Sequence, residues 1–249
     1  MAQANAVAGQ ASVWWSKAIL ALALAAGAIL ALGPLGTKAG LWAFPLGLMA
    51  LAAALGLAAI GVVVGVVALI VANKRHVPAS RRPIYLAMII NVVIIVLMGG
   101  QFSTAQSVPP IHNISTDVAD PPQFVAVVAL RGEGSNPLEL EAETIALQAE
   151  HYPAIKPLQS DASVTETFAK AVAVVQAMGM ELVSADEAAG LVEATATTFW
   201  FGFKDDVAIR VRQAGEGSLV DVRSVSRVGL SDLGTNARRI GEILERLEG

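Results

Sequence analysis

Apolar residues follow two different patterns along this chain. Up to residue 102 they form long, nearly unbroken stretches; beyond it they recur with the short periods of helices and strands. Three of the stretches approach the roughly 20 residues that an α-helix needs to cross a ~30 Å hydrocarbon core. They run over about 13–32 ("VWWSKAILALALAAGAILAL"), 46–71 and 84–102, the last carrying Asn91 near its middle. The first apolar run exceeds the 7–15 residues usual in a signal peptide and two further spans follow it, so it reads as an uncleaved transmembrane helix. The second contains "GVVVG", Gly61 to Gly65, a small-residue spacing that lets a neighbouring helix approach closely.

The pattern then changes. Residues 103–122 ("STAQSVPPIHNISTDVADPP") are rich in Ser, Pro, Asp and Asn and read as a linker, leaving 123–249 as the folded domain. "FVAVVALR" reads as a strand, and about 140–151 as a helix ended by the prolines of "YPAIKPL". From Val164, the set Phe168, Val172, Val175 and Met178 recurs at helical spacing, with Gly179 as a stop. Four strand-like runs follow, "MELVSA", "LVEATATTFW", "VAIRVR" and "LVDVRSV", joined by turns short enough for antiparallel hairpins. A closing helix carries Leu233, Ala237, Ile240, Leu244 and Leu247 on one face. The expected fold is therefore α+β: three N-terminal transmembrane helices, then a two-layer domain with an antiparallel sheet of about four strands packed against helices.

Strand alternation divides the sheet residues between two faces. Val207, Ile209, Val211, Val220 and Val222 fall on one; Arg210, Arg212, Asp221, Arg223 and, from the preceding strand, Glu193, Thr195 and Thr197 fall on the other. Arg227, four residues after Arg223, extends that second face. It reads either as a solvated face with cross-strand ion pairs or as a site for an anionic group, because the guanidinium fork suits carboxylates and phosphates.

Charge sharpens the division between the two parts. Residues 1–102 hold six basic residues and no acidic one; all 21 acidic residues and the other 11 basic ones lie in 103–249, for formal charges of +6 and −10. Mean hydropathy is +0.60 and 55% of residues are apolar, which fits a membrane part joined to a soluble part. The loop "NKRHVPASRRP" holds Lys74, Arg75, Arg81 and Arg82, whereas the other loop holds Lys38 alone. By the positive-inside rule the first loop, and with it the N-terminus, is cytoplasmic, which places the C-terminal domain in the periplasm of a bacterial inner membrane. An acidic soluble part excludes nucleic acid as a partner. With no cysteine in the chain, thiol catalysis, Cys-ligated zinc and disulfides are excluded.

Candidate chemistry is sparse. His112, Ser115 and Asp117 are triad residue types, and Ser226 and Asp232 join them as a possible polar site, yet no G-x-S-x-G elbow accompanies them. His112, His151 and Asp117 lack a zinc spacing, His76 lies in the basic loop, and neither metal nor cofactor is expected. Ser231 or Asp232 would cap the last helix. Phe199, Trp200, Phe201 and Phe203 cluster at a hairpin where Gly202 makes the bend; the rings either pack under the helices or meet lipid or an apolar ligand.

"IHNISTD", "PPQF", "YPAIKPL", "EATATTFWFGFKDDVAIRV" and "VDVRSVSRVGLSDLGTNARRI" occur in this order from about residue 109 to the C-terminus. Together they resemble the bacterial and plastid domain-of-unknown-function family 1499. The resemblance implies fold and envelope location, with no chemistry attached, and this chain departs from the family pattern in carrying Asn113 where Asp is usual. The expected function is a membrane-anchored periplasmic binding or interaction module. Its partners would be the lipid bilayer together with a lipid-like or anionic ligand or an envelope protein, met through Arg210, Arg212, Asp221, Arg223, Arg227, Trp200 and Phe203. The alternatives are an envelope hydrolase using His112, Asp117 and the Arg223–Asp232 passage, and a membrane-protein assembly factor.

Overall fold

The computed structural model describes residues 14–249, so Val13, where the first span is expected to begin, and the N-terminus itself lie outside the described residues. Three helices, α1 (Trp14–Lys38), α2 (Phe44–Lys74) and α3 (Arg81–Ser107), are each long and apolar enough to cross a membrane. The described residues divide into two compact units, one of residues 14–103 with 200–202, the other of 104–199 with 203–249.

Within the first unit, small residues set the helix contacts. Gly33 of α1 faces Ala50 and Gly47 of α2 so closely that a Cβ at Gly33 would sit 2.7 Å from that of Ala50. Pro34 lies within the last turns of α1, and the Trp42 indole N–H donates to the Gly33 carbonyl at 2.9 Å. The two glycines of "GVVVG" are used inside the chain: Gly61 receives Asn91 of α3, and Gly65 receives Met88. Asn91 is thereby buried in mid-span, only 2% exposed.

The second unit contains strands β1 (Asn113–Ser115), β2 (Leu158–Ser160), β3 (Glu181–Asp186), β4 (Leu191–Thr197), β5 (Lys204–Ala214) and β6 (Gly217–Ser226), with helices α4 (Ala142–His151), α5 (Val164–Ala177) and α6 (Thr235–Glu248). The antiparallel sheet runs β1-β6-β5-β4-β3, and β2 pairs further along the same outer edge of β6. The sheet thus has six strands rather than about four. Strand β1 arises within 103–122: α3 continues to Ser107, and Asn113 to Ser115 pair with Val225 to Arg223. The linker reading fails there because Ile114, fully buried, gives that polar segment an anchor in the core.

Alternation holds through the sheet. Val192, Ala194, Val207, Ile209, Val211, Val220 and Val222 form the helix-side core with Phe168, Val175, Ile240 and Ile243. Complete burial of Ile240 and Ile243 stabilises α6 on the sheet by about 1.5–3 kcal/mol each. Ser163 and Glu166 start α5 with a reciprocal capping box, leaving few free N–H groups at that end. Leu233 is not on the helical face: it sits at φ 53° before α6 begins.

The other face is covered too. Residues 116–141, termed the strap here, cross it with Phe124, Val127 and Leu138 packed on Ala208 and Val225. "FVAVVALR" lies in the strap as a 3-10 turn, Val127–Leu130, rather than as a strand. Its backbone N–H groups go to a side chain, as shown below, so no neighbouring strand is needed.

Replacement of Gly65 by Leu places a side chain where Met88 Cγ already lies 2.6 Å from the position of a Cβ. Overpacking of this kind costs about 1–3 kcal/mol. Thermal unfolding of the full-length protein in detergent is expected to shift down by several degrees for Gly65→Leu, whereas Gly56→Leu, with open space around Gly56, leaves it unchanged.

Candidate functional site

The polar face of β4, β5 and β6 lies beneath the strap, and its charges are matched in three groups. In the first, Asp206 is completely buried and accepts from Arg227 at 2.7 Å, Arg131 of the strap at 2.6 Å and Thr195 Oγ1 at 3.0 Å. Arg227 also donates to the Leu130 carbonyl, and Arg131 to the Asn136 carbonyl. In the second, Glu193, 1% exposed, accepts from the backbone N–H groups of Val125, Ala126 and Val127 at 2.8, 2.7 and 3.3 Å. A carboxylate in the sheet thus does for the strap's 3-10 turn what a capping residue does for a helix.

The third group lies toward the strap's beginning. Arg210 donates to Asp221 and to Asp120, while Arg212 donates to Asp117 and lies 3.1 Å from Asp221. Burial pushes Asp117 up, but the backbone N–H groups of Asp120 and Ala119, with Arg212 and Arg210, outweigh it and hold the carboxyl below its usual value.

Arg223 differs from its neighbours. Its guanidinium, 2% exposed, donates to Asn113 Oδ1 at 3.2 Å and to the carbonyls of Pro122 and Leu138, and lies 5.3 Å from the Phe124 ring centre. These acceptors are neutral. Burial, followed by repulsion from Arg131, lowers Arg223 to about 10 against a weaker pull from Glu139, so it remains a cation at neutral pH. Asn113 fits this place in a way a carboxylate would not, because its amide N–H₂ donates to the Glu139 carbonyl at 3.1 Å. Arg210, Arg212, Asp221, Arg223 and Arg227 thus belong to one face, as their alternation implies, but that face is enclosed rather than open.

The polar residues considered for hydrolysis separate. Asp117 joins Arg212 on the strap side, whereas Ser226 and Asp232 belong to the helix side. Ser226 Oγ accepts from Asn236, whose amide also donates to the backbone carbonyl of His112. Asp232 accepts from the N–H groups of Gly234 and Asn236 and so caps α6; burial pushes its carboxyl up. Ser115 Oγ donates to the Asp117 carbonyl, which shapes the strap's first turn. The sheet itself stands between the carboxylate at 117 and the hydroxyl at 226. Among the described residues, no group of three His, Asp or Glu side chains is placed to hold a metal ion.

Sequence reasoning missed Asp206, Arg131, Asn236 and the pair Arg239–Asp205 at 2.7 Å. Asp206 was readable in principle, since it shares parity with Arg210 in β5 and must face the same way. Arg131 was not, because its place depends on the path of an irregular segment. A polar pocket of about 220 Å³ between the end of α5 and the start of α6 is lined by Thr197 together with Arg238, Arg239 and Glu242, which sequence did not single out. At the β4–β5 hairpin, Gly202 takes φ 68°, Phe199 and Trp200 are exposed, and Phe201 and Phe203 are half-buried.

Residues 113–247, more than half of the chain, match the family model described as "Protein of unknown function (DUF1499)". The chain belongs to this family. No curated protein matches it. In this member of the family, every strand of the sheet and the strap that covers it fall inside the matched residues, and the three apolar helices precede them.

Unequal mutational costs follow from unequal burial. Asp206→Ala leaves two buried guanidinium groups unpaired and is expected to cost about 3–5 kcal/mol, whereas Arg212→Ala, at a side chain 41% exposed, costs under about 1 kcal/mol. Urea unfolding of the full-length protein, followed by the β-sheet circular dichroism signal, checks the difference.

Asp117 also gives a pH signature. Its folded value is depressed, so its contribution is present above the ordinary value of 3.8 and is lost as pH falls through the lower folded value. Asp117→Asn is therefore less stable than the native protein at neutral pH, and the gap closes below about 3.8 in the same unfolding experiment.

Proposed function

We propose that this protein is a membrane-anchored interaction module whose C-terminal domain faces the periplasm and receives an envelope protein on the outer surface of the strap. The observation that carries this reading is the presentation of Val125, Val128 and Leu130, which are 68%, 46% and 53% exposed. They stand on a backbone whose N–H groups are held by buried Glu193, with the Leu130 carbonyl held by Arg227. Apolar side chains on a backbone already fixed lose little further freedom on association, which favours binding.

The enclosed arginines argue against an anionic ligand on the sheet face, since such a ligand would have to displace the strap's own carboxylates and carbonyls. The opposite-face placement of Asp117 and Ser226 likewise argues against hydrolysis. The orientation rests on the four basic residues of the 73–83 loop, of which Lys74 and Arg75 close α2 and Arg81 and Arg82 open α3.

Because the chain has no cysteine, single introduced thiols report topology cleanly. With a membrane-impermeant maleimide on intact spheroplasts, Glu216→Cys is expected to label at once and His76→Cys only after permeabilisation; the reverse pattern overturns the orientation. A photo-crosslinking residue at Val128 is expected to give one discrete protein adduct in the native membrane, absent when the same residue replaces Glu216. Equal yields at the two positions would remove the strap as the interacting surface. An adduct with a protein of the inner membrane would point to the assembly reading.

A further inference from the structure

The two ends of the sheet differ in chemistry. At the end formed by the β3–β4 and β5–β6 turns and the start of α5, the exposed charged residues are Asp161, Glu166, Asp186, Glu187 and Glu216, all acidic. At the other end, register brings together the β4–β5 hairpin, the close of β6 and the start of β1: Thr197 pairs with Lys204, Asp205 with Ser226, and Asn113 with Val225. The end of β4 and the loop after β6 present Phe199, Leu230 and Leu233, at 69%, 82% and 37% exposure. Lys204 and Arg238 are exposed at this end, together with the acids Glu133 and Glu139 of the strap, Glu181 at the start of β3 and Glu242 of α6.

We propose that this apolar end is a lipid-docking surface, which inserts Phe199, Leu230 and Leu233 into the headgroup–acyl boundary of the bilayer that the three helices cross. Two observations commit the surface to lipid. An exposed ring, exposed leucines and cationic side chains at one end are the composition enriched at membrane interfaces, where rings and aliphatic groups enter and Lys or Arg remain at the headgroups.

The second observation is the tether. Only residues 108–112 separate α3 from β1, and five residues span at most about 18 Å when fully extended. Strand β1 begins at the apolar end, where the Ser226 N–H donates to the His112 carbonyl and the Asp232 N–H to that of Ile111. The chain that leaves α3 therefore enters the domain through the end that carries the apolar side chains. Leu230 and Leu233 owe their exposure to a loop fixed from beneath. Asn136 donates to the Gly229 carbonyl, and Asp232 holds the Gly234 and Asn236 N–H groups.

The inference needs the membrane anchor but not the periplasmic orientation or a partner at the strap. Its test works in nanodiscs, where both bilayer faces are accessible, so its failure is separate from theirs. The full-length protein, with Leu230→Cys or Glu216→Cys carrying an environment-sensitive fluorophore, is placed in nanodiscs of mixed zwitterionic and anionic lipid. Some of the lipids bear a nitroxide high on the acyl chain. The fluorophore at 230 is expected to be quenched several-fold more by the nitroxide lipid than that at 216, and several-fold less by aqueous iodide. Equal quenching at both positions overturns the proposal. So does protection at 230 from both quenchers, which would assign the surface to a protein or a second copy. Both substitutions fall on exposed side chains, and matching thermal unfolding of the two labelled proteins confirms that neither disturbs the fold.

Discussion

A charge taken out of water must be met by another charge or by several hydrogen bonds, and one face of this sheet takes five charges out of water at once. Glu193, Asp206, Asp221, Arg223 and Arg227 are each no more than 9% exposed. Unpaired, any of them would cost several kcal/mol. The strap meets that demand. It supplies Arg131 to Asp206, three backbone N–H groups to Glu193, and carbonyls to Arg223 and Arg227. The dependence runs both ways, because an irregular segment with few regular backbone hydrogen bonds needs fixed charges to hold its path. The apolar contacts of Phe124 and Val127 are too few to do so alone. This mutual satisfaction explains why residues 116–141 remain ordered with so little regular secondary structure.

Much of this architecture was legible in the chain. The three membrane-competent helices follow from unbroken apolar runs, and strands β3 to β6 from period-two alternation that assigns Val207 and Ile209 to one face and Arg210 and Arg212 to the other. What alternation could not reveal was the cover on the polar face. A run such as "VDVRSV" reads identically whether its Asp and Arg meet water or a strap, because the sequence of a strand records its parity and not the layer above it. The strand β1 was hidden for a related reason: three residues amid prolines and serines carry no period, and their pairing with β6 is set by Ile114 in the core. "FVAVVALR" misled in the opposite sense. Its apolar run has the composition of a strand, but its N–H groups find Glu193, a partner 66 to 68 residues away.

The candidate site was legible as a set of residues and not as a site. Arg210, Arg212, Asp221, Arg223 and Arg227 do gather, yet into a closed scaffold in which only the rim, Arg212 with Asp120, touches solvent appreciably. Accessible chemistry lies elsewhere, on Val125, Val128 and Leu130 of the strap and on Phe199, Leu230 and Leu233 at the end where the chain arrives from α3. Buried polar groups thus fix the backbone from which apolar side chains are displayed. The membership in a family of unknown function gains a physical outline from this division. The matched residues encode a charge-locked sheet and strap, and the helices before them supply attachment to a membrane.

The charge lock between sheet and strap is the central claim, and hydrogen exchange at the amides of Val125, Ala126 and Val127 tests it most directly. Exchange read by mass spectrometry on full-length protein in detergent should find these amides protected despite the exposure of the Val125 side chain. In Glu193→Gln, where a neutral amide replaces the carboxylate, protection of residues 124–131 should fall by an order of magnitude or more while the β5–β6 amides keep theirs. Rapid exchange of the strap in the native protein, or unchanged protection in the variant, would contradict the account.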